Sequence, residues 1–177
     1  MQSDVPLIPQ LAGHLVAAGG KRMRPMMSIA GAMMATATPD ERGPAILLAT
    51  AVEFIHSATL LHDDVIDESN LRRGRDTANA LWGNDAAVLV GDFLFARAFE
   101  LMVEADNISV LGRLAAASAK ITEGEVRQMT ITGNPDTPVD DYLDVIAGKT
   151  AVLFAAAAGA GAEVSGGSPD KVAAMYD

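Results

Sequence analysis

The stretch FIHSATLLHDDVIDESNLRRG, residues 54–74, runs from an apolar segment into four carboxylates, Asp63, Asp64, Asp67 and Glu68, and then into the pair Arg72 and Arg73. Its apolar half lacks the strict alternation of a half-buried strand, so it reads as helix. On a helix, Asp63 and Asp67 stand four residues apart and share a face, while Asp64 projects roughly 100° away. Acid is electrostatically unwelcome at this end. The helix C-terminus is already negative, and like charges at this spacing each destabilise by a few tenths to about 1 kcal/mol. A cation is therefore expected. Hard divalent ions favour carboxylate oxygen, and Mg²⁺ takes one or two protein carboxylates while water and phosphate complete its shell. The plainer alternative is a solvated helix end neutralised by Arg72, Arg73 and Arg75, which leaves the apolar approach unexplained. An acidic cluster at the mouth of an apolar helix pair suits a metal that holds a charged head while a greasy tail points inward.

Working outward, alanine, leucine and methionine dominate, aromatics make up only 5% of the chain, and no strand pattern bounded by turns stands out, so the fold class is all-α. Helices are expected over residues 6–18, 25–36, 39–67, 84–104, 108–132, 138–162 and from 169 onward, with a long loop over 68–83. Three starts share one chemistry: Thr38-Pro39-Asp40-Glu41, Thr137-Pro138-Val139-Asp140 and Ser168-Pro169-Asp170. Each offers a hydroxyl N-cap, a proline whose missing N–H costs nothing there, and early acid that suits the dipole. Apolar residues wrap broadly around 86–103 and 145–162, which marks both helices as central.

With 177 residues, half of them hydrophobic, the chain has material for one domain with a sizeable core. Cysteine is absent, which removes disulfides and thiolate metal sites and fits a reducing cytoplasm. A net charge of −10 argues against nucleic acid as a partner. The uncharged run AVLFAAAAGAGA, residues 151–162, is shorter than the roughly 20 residues a membrane-spanning helix needs, so no transmembrane segment is expected. The N-terminus lacks the basic start and apolar core of a secretory signal.

The segment LLHDDVIDESNLRRG resembles the first aspartate-rich motif, DDxxD followed by RRG, of the trans-isoprenyl diphosphate synthases, the polyprenyl synthetase family. GGKRMRP at 19–25 resembles that family's GGKRxRP signature, and AGKTA at 147–151 its GKT segment. The ordered set is far more specific than DDxxD alone. It implies a bundle of long antiparallel helices around an apolar cavity, catalysing head-to-tail addition of isopentenyl diphosphate to an allylic prenyl diphosphate. It further implies that Asp63 and Asp67 hold Mg²⁺ on the allylic diphosphate, that Arg72 contacts that diphosphate and Arg73 the isopentenyl diphosphate, and that Lys21, Arg24 and His56 bind isopentenyl diphosphate. Lys149 and Thr150 would serve the allylic diphosphate, and a homodimer is the expected assembly. The chemistry is consistent, because C–O cleavage develops negative charge on the departing diphosphate, which Mg²⁺ stabilises as a Lewis acid. Arginine's planar fork meets phosphate oxygens in pairs.

Read without the resemblance, His56 suits a core histidine, and with Glu53 it forms an ExxH pair of the di-iron type for which the chain offers no second copy. Lys149 beside Gly148 would snorkel to solvent, or a kink at the glycine would aim it inward. Product length should depend on residues one or two turns before Asp63, namely Thr59, Ala58 and Ile55. They are small or aliphatic, which fits an open tunnel and a long-chain product, and fits close helix packing equally well. Ala58→Phe would shorten the products if the tunnel reading holds. Two departures from the family stand out: a second aspartate-rich segment would follow KVAAMYD, and the N-terminal helical part is short. The chain is thus expected to be a truncated piece. A class I terpene cyclase, or a non-catalytic subunit that keeps diphosphate binding, are the alternatives.

Overall fold

The structure, a computed structural model, describes residues 3–35 and 42–176. The start expected at Thr38-Pro39-Asp40-Glu41 lies outside them. Among the described residues the chain is all-α apart from one minimal hairpin. Its elements are α1 (Leu7–Ala17), α2 (Met23–Ala35), α3 (Gly43–Ile66), β1 (Leu71–Arg72), β2 (Arg75–Asp76), α4 (Ala78–Trp82), α5 (Asn84–Glu104), α6 (Ile108–Ile131), α7 (Val139–Ile146), a π-helical turn (Ala147–Ala151), α8 (Val152–Val164) and α9 (Pro169–Tyr176). The backbone forms two compact units, one from the residues up to Arg22 with Glu53–Glu100, the other from Met23–Val52 with Leu101 onward.

In the first unit, α1, the later part of α3, α4 and α5 enclose a buried cluster of Leu11, Ala12, Ala58, Leu61, Ala78, Ala87, Val90 and Leu94. The spacing of Ala58 and Leu61, and of Ala87, Val90 and Leu94, is the three-to-four-residue repeat of a helix face turned to a core. The loop expected over 68–83 is structured: β1 and β2 pair antiparallel, Leu71 with Asp76 and Arg72 with Arg75, and α4 follows. His14 Nε2 donates to the Asp76 carbonyl at 2.7 Å, and its ring meets Trp82 edge-on at 5.3 Å, which ties α1 to the hairpin and α4.

In the second unit, α2 lies against α8 at backbone distance. A Cβ on Gly31 would stand 2.1 Å from the Ala158 carbonyl oxygen, and one on Gly161 would stand 1.8 Å from that of Ser28. The small residues of AVLFAAAAGAGA therefore serve close approach, and Ala156–Ala162 is buried throughout. Lys171 on α9 donates to the Ala35 carbonyl at 3.2 Å, satisfying a last-turn acceptor of α2 that has no partner within the helix. Asn107 caps α6 by accepting from the Val110 N–H at 3.0 Å.

Helix α9 begins at Pro169, at the boundary read from Ser168-Pro169, and the Ser168 carbonyl accepts from Val172 N–H at 2.9 Å. At the α7 start the expectation is corrected. Pro138 occupies the cap position without a side-chain cap, and the Thr137 hydroxyl donates backwards to Asn134 C=O at 2.8 Å. Arg127 on α6 instead anchors α7 through Asp141 at 2.6 Å and Asp144 at 3.0 Å. By length and composition the helical stretches Gly43–Ile66 and Val139–Val164 are apolar enough to cross a bilayer, and 50% and 56% of their most apolar windows is buried inside the fold, as in core helices.

Candidate functional site

Helix α3 ends in a Schellman turn. Glu68 N–H donates to Val65 C=O at 3.2 Å and Ser69 N–H to Asp64 C=O at 2.9 Å, with Glu68 in the left-handed region at φ 49°, where glycine is usual. Asp67 N–H still bonds Asp63 C=O at 2.8 Å, so the helical register runs through both aspartates and they share one face. Asp63 is half-buried and Asp67 exposed. Asp64 turns the other way: it is 2% exposed and receives the Arg72 guanidinium as a fork, Nε at 3.0 Å from both carboxylate oxygens and Nη2 at 2.8 Å. One of the three aspartates is thereby neutralised within the protein.

The hairpin makes that fork possible. Its two-residue loop, Arg73-Gly74, has φ of 53° and 76°, the signature of a type I′ turn, and it returns Arg72 toward the end of α3. Asn79 donates to the carbonyls of Asp64, at 3.3 Å, and Ser69, at 3.1 Å, and the Thr77 hydroxyl donates to Ser69 C=O at 2.7 Å. The left-handed conformation costs a non-glycine residue such as Arg73 roughly 1–2 kcal/mol. It goes with a contact: the guanidinium donates to Gly19 C=O, and a Cβ on Gly20 would stand 2.9 Å from Arg73 Nη1. The GGKR and RRG segments thus meet.

Within GGKRMRP the residues part company. Lys21 is exposed. Arg22, also left-handed at φ 49°, donates to Val16 C=O at 2.9 Å and pairs with Glu53. Glu53 is therefore an arginine partner, which replaces the ExxH reading. Sequence reasoning passed over this pair, and the available signal was the lone acid in the apolar run LLATAVEFIHSATLL, since a part-buried carboxylate needs a cation. Arg24 belongs to the second unit and stacks over the Phe154 ring at 4.4 Å. His56 is half-buried, with its carbonyl accepting from the Thr59 hydroxyl at 2.8 Å.

Lys149 and Thr150 lie in the π-helical turn, where a simple kink was expected. Such turns mark places where one residue is accommodated beyond the α register. Here the turn faces α6 across a glycine pair: a Cβ on Gly124 would be 2.7 Å from Lys149 N and one on Gly148 would be 3.4 Å from Lys120 C=O. Lys149 Nζ pairs with Glu125 on α6 at 2.7 Å, so the partly exposed lysine is held by a carboxylate instead of extending alone into solvent. Glu125 also escaped the sequence reading, because its partner is 24 positions away. Thr150 is exposed.

The three positions proposed to set product length lie differently. Ile55 and Ala58 have no exposed surface, and Ala58 belongs to the core cluster with residues of α1, α4 and α5. Its small side chain packs within that cluster, the closer-packing one of the two readings the sequence left open for it. Thr59 is half-buried.

Among the described residues no group of three or more His, Asp or Glu side chains could by itself hold a metal. The donor set Asp63 and Asp67 nevertheless fits Mg²⁺, whose usual protein share is one or two carboxylates completed by water and substrate phosphate.

Over residues 5–177 the chain matches the Polyprenyl synthetase family model. It is similar to the octaprenyl diphosphate synthase of Haemophilus influenzae, 46% identical over the whole chain and 53% of that protein. It is similar also to the all-trans-nonaprenyl-diphosphate synthase (geranyl-diphosphate specific) of Rhodobacter capsulatus, 48% identical over 96% of this chain and 51% of that protein. Its backbone superposes on a crystal structure of polyprenyl synthase from Caulobacter crescentus complexed with calcium and isoprenyl diphosphate, with a TM-score of 0.95, 54% identity, and coverage of 100% of this chain and 53% of that one. The chain spans about half the length of the curated relatives it matches. The aspartate-ended helix, the arginine hairpin and the lysine turn are accordingly those of a member of the polyprenyl synthetase family, to which this chain belongs.

Proposed function

We propose that the chain carries the first aspartate half-site of a metal-dependent prenyltransferase that adds isopentenyl diphosphate head-to-tail to an allylic diphosphate, giving a long-chain all-trans polyprenyl diphosphate. The observation that carries this reading is the division of labour at the end of α3: Asp63 and Asp67 share a face, while Asp64 is withdrawn into the fork with Arg72. The shared face of Asp63 and Asp67 offers the one or two carboxylates that Mg²⁺ takes from a protein, and a metal–diphosphate complex is the ligand whose chemistry matches them. The long-chain products named for the octaprenyl and nonaprenyl relatives, and the calcium and isoprenyl diphosphate of the Caulobacter relative, support the same choice.

Asp63 and Asp67 would hold Mg²⁺, which when bound supplies Lewis-acid stabilisation of the charge developing on the departing diphosphate. Lys149 and Thr150 orient the allylic diphosphate. Arg73, beside the Gly19-Gly20 turn, serves the isopentenyl diphosphate together with Lys21, Arg24 and His56. Arg72 contributes through the hairpin it fixes and the donor capacity left beyond its fork with Asp64. In the reaction the allylic C–O bond breaks, the isopentenyl double bond forms the new C–C bond, and a proton leaves to restore the alkene. Apolar walls keep water from the allylic cation. A homodimer working in the cytoplasm completes the proposal.

The test is incubation of the chain with Mg²⁺, isopentenyl diphosphate and farnesyl diphosphate, with products resolved by chain length. Elongated diphosphates that vanish in Asp63→Ala are expected. A cyclic hydrocarbon would move the assignment to a terpene cyclase. Absent elongation with diphosphate binding retained would make the chain a non-catalytic subunit.

A further inference from the structure

We infer that Glu125 is a specificity-determining residue: by cancelling the charge of Lys149 it restricts the site to diphosphate that arrives as a metal complex. The inference rests on the reading of Lys149 as a diphosphate contact. Three observations carry it. Gly124 brings α6 so close to the π-helical turn that a Cβ there would meet Lys149 N at 2.7 Å, and this register sets the next residue, Glu125, against Lys149 Nζ at 2.7 Å. The two side chains are only 27% and 22% exposed, against 58% and 67% for the Lys120–Glu123 pair on the same helix, so solvent screens them less. Finally, an ammonium has three N–H donors and no acceptor. One goes to Glu125, which leaves two for phosphate oxygens.

The pair can therefore orient a diphosphate without neutralising it. An anion placed on Lys149 also faces the Glu125 carboxylate, and at ~5 Å in an effective dielectric of ~20 that repulsion is several times thermal energy. Neutralisation has to come with the ligand, from a divalent cation on the diphosphate. A lysine without its carboxylate would accept free diphosphate and other phosphate anions. Glu125 supplies the repulsive element that discrimination requires.

The experiment is calorimetric titration of the full chain with inorganic diphosphate in Mg²⁺ and in EDTA. The unmodified chain is expected to bind in Mg²⁺ only. Glu125→Gln should bind in EDTA at least about tenfold more tightly than the unmodified chain, and adding Lys149→Ala should erase that gain. Glu125→Met carries the same test if the glutamine variant does not fold, with circular dichroism as the check. A folded Glu125 variant whose metal-free binding is no tighter than that of the unmodified chain overturns the inference. Lys149→Ala alone isolates the underlying reading: if Mg²⁺-dependent binding survives it unchanged, Lys149 is not a diphosphate contact and the inference falls with that assignment.

Discussion

The pairs Asp64–Arg72 and Glu125–Lys149 have the same charges and similar contact distances, 2.8 and 2.7 Å, yet they differ in burial. The Asp64 side chain is 3% exposed and is met by a two-pronged fork, whereas Glu125 is 22% exposed and meets a single ammonium. A buried carboxylate stripped of its partner is a large penalty, because nothing else solvates it. One that keeps a fifth of its surface in water, and a single flexible partner, loses less. The first pair is therefore architecture and the second is adjustable. An arginine suits the former, with its rigid planar donors, and a flexible lysine the latter.

The largest effect should come from breaking that contrast directly. Arg72→Ala is expected to destabilise the fold by about 3–5 kcal/mol, and Lys149→Ala by about 1 kcal/mol or less, both read from urea unfolding. Equal losses would show that the two pairs are energetically alike. Ala58→Phe comes next. Overpacking the core cluster around Ala58 should cost about 1–3 kcal/mol, visible as a lowered melting temperature, whereas a folded variant of undiminished stability making shorter products would favour the tunnel reading over the packing one. Smaller and opposite in sign, Glu68→Gly relieves the left-handed residue of the Schellman turn and should stabilise by about 1 kcal/mol, with the midpoint of denaturation as the measure.

The smallest effect concerns Tyr176, whose partial burial, with Glu163 nearby and against the opposing influence of Arg113, raises its pKa from 10.0 to about 12. The neutral phenol is favoured in the folded chain, so its contribution is complete below pH 10 and is lost as pH rises toward 12. Tyr176→Phe should accordingly show a shallower decline of melting temperature over that window than the unmodified chain.

Local spacing carried much of this into the sequence. Four residues between Asp63 and Asp67 set their common face, and Asp64 had to point elsewhere. Where it points was not legible, because Arg72 reaches it only through a hairpin whose Arg73-Gly74 turn lacks the usual Asn-Gly or Asp-Gly signal. The kink foreseen at Gly148 proved to be a π-helical turn because its cause, the Gly124 contact, lies on another helix. The Thr137-Pro138 start misled for a similar reason: the Thr137 hydroxyl finds acceptors behind it, at the end of α6. Helix periodicity is local information. Ion pairs such as Arg22–Glu53 and Lys149–Glu125 depend on tertiary approach, and composition holds only the hint that a lone charge in an apolar run needs a mate.

The approach of α2 to α8 has a further consequence, for the genetics of the molecule. What stands opposite Gly31 and Gly161 is carbonyl oxygen, of Ala158 and Ser28, not a side chain. A larger residue at either glycine cannot be rescued by trimming its neighbour, since main-chain atoms are common to every amino acid. Second-site suppressors of such variants should therefore be missing from the facing helix, and any that arise must act by letting one helix slide along the other.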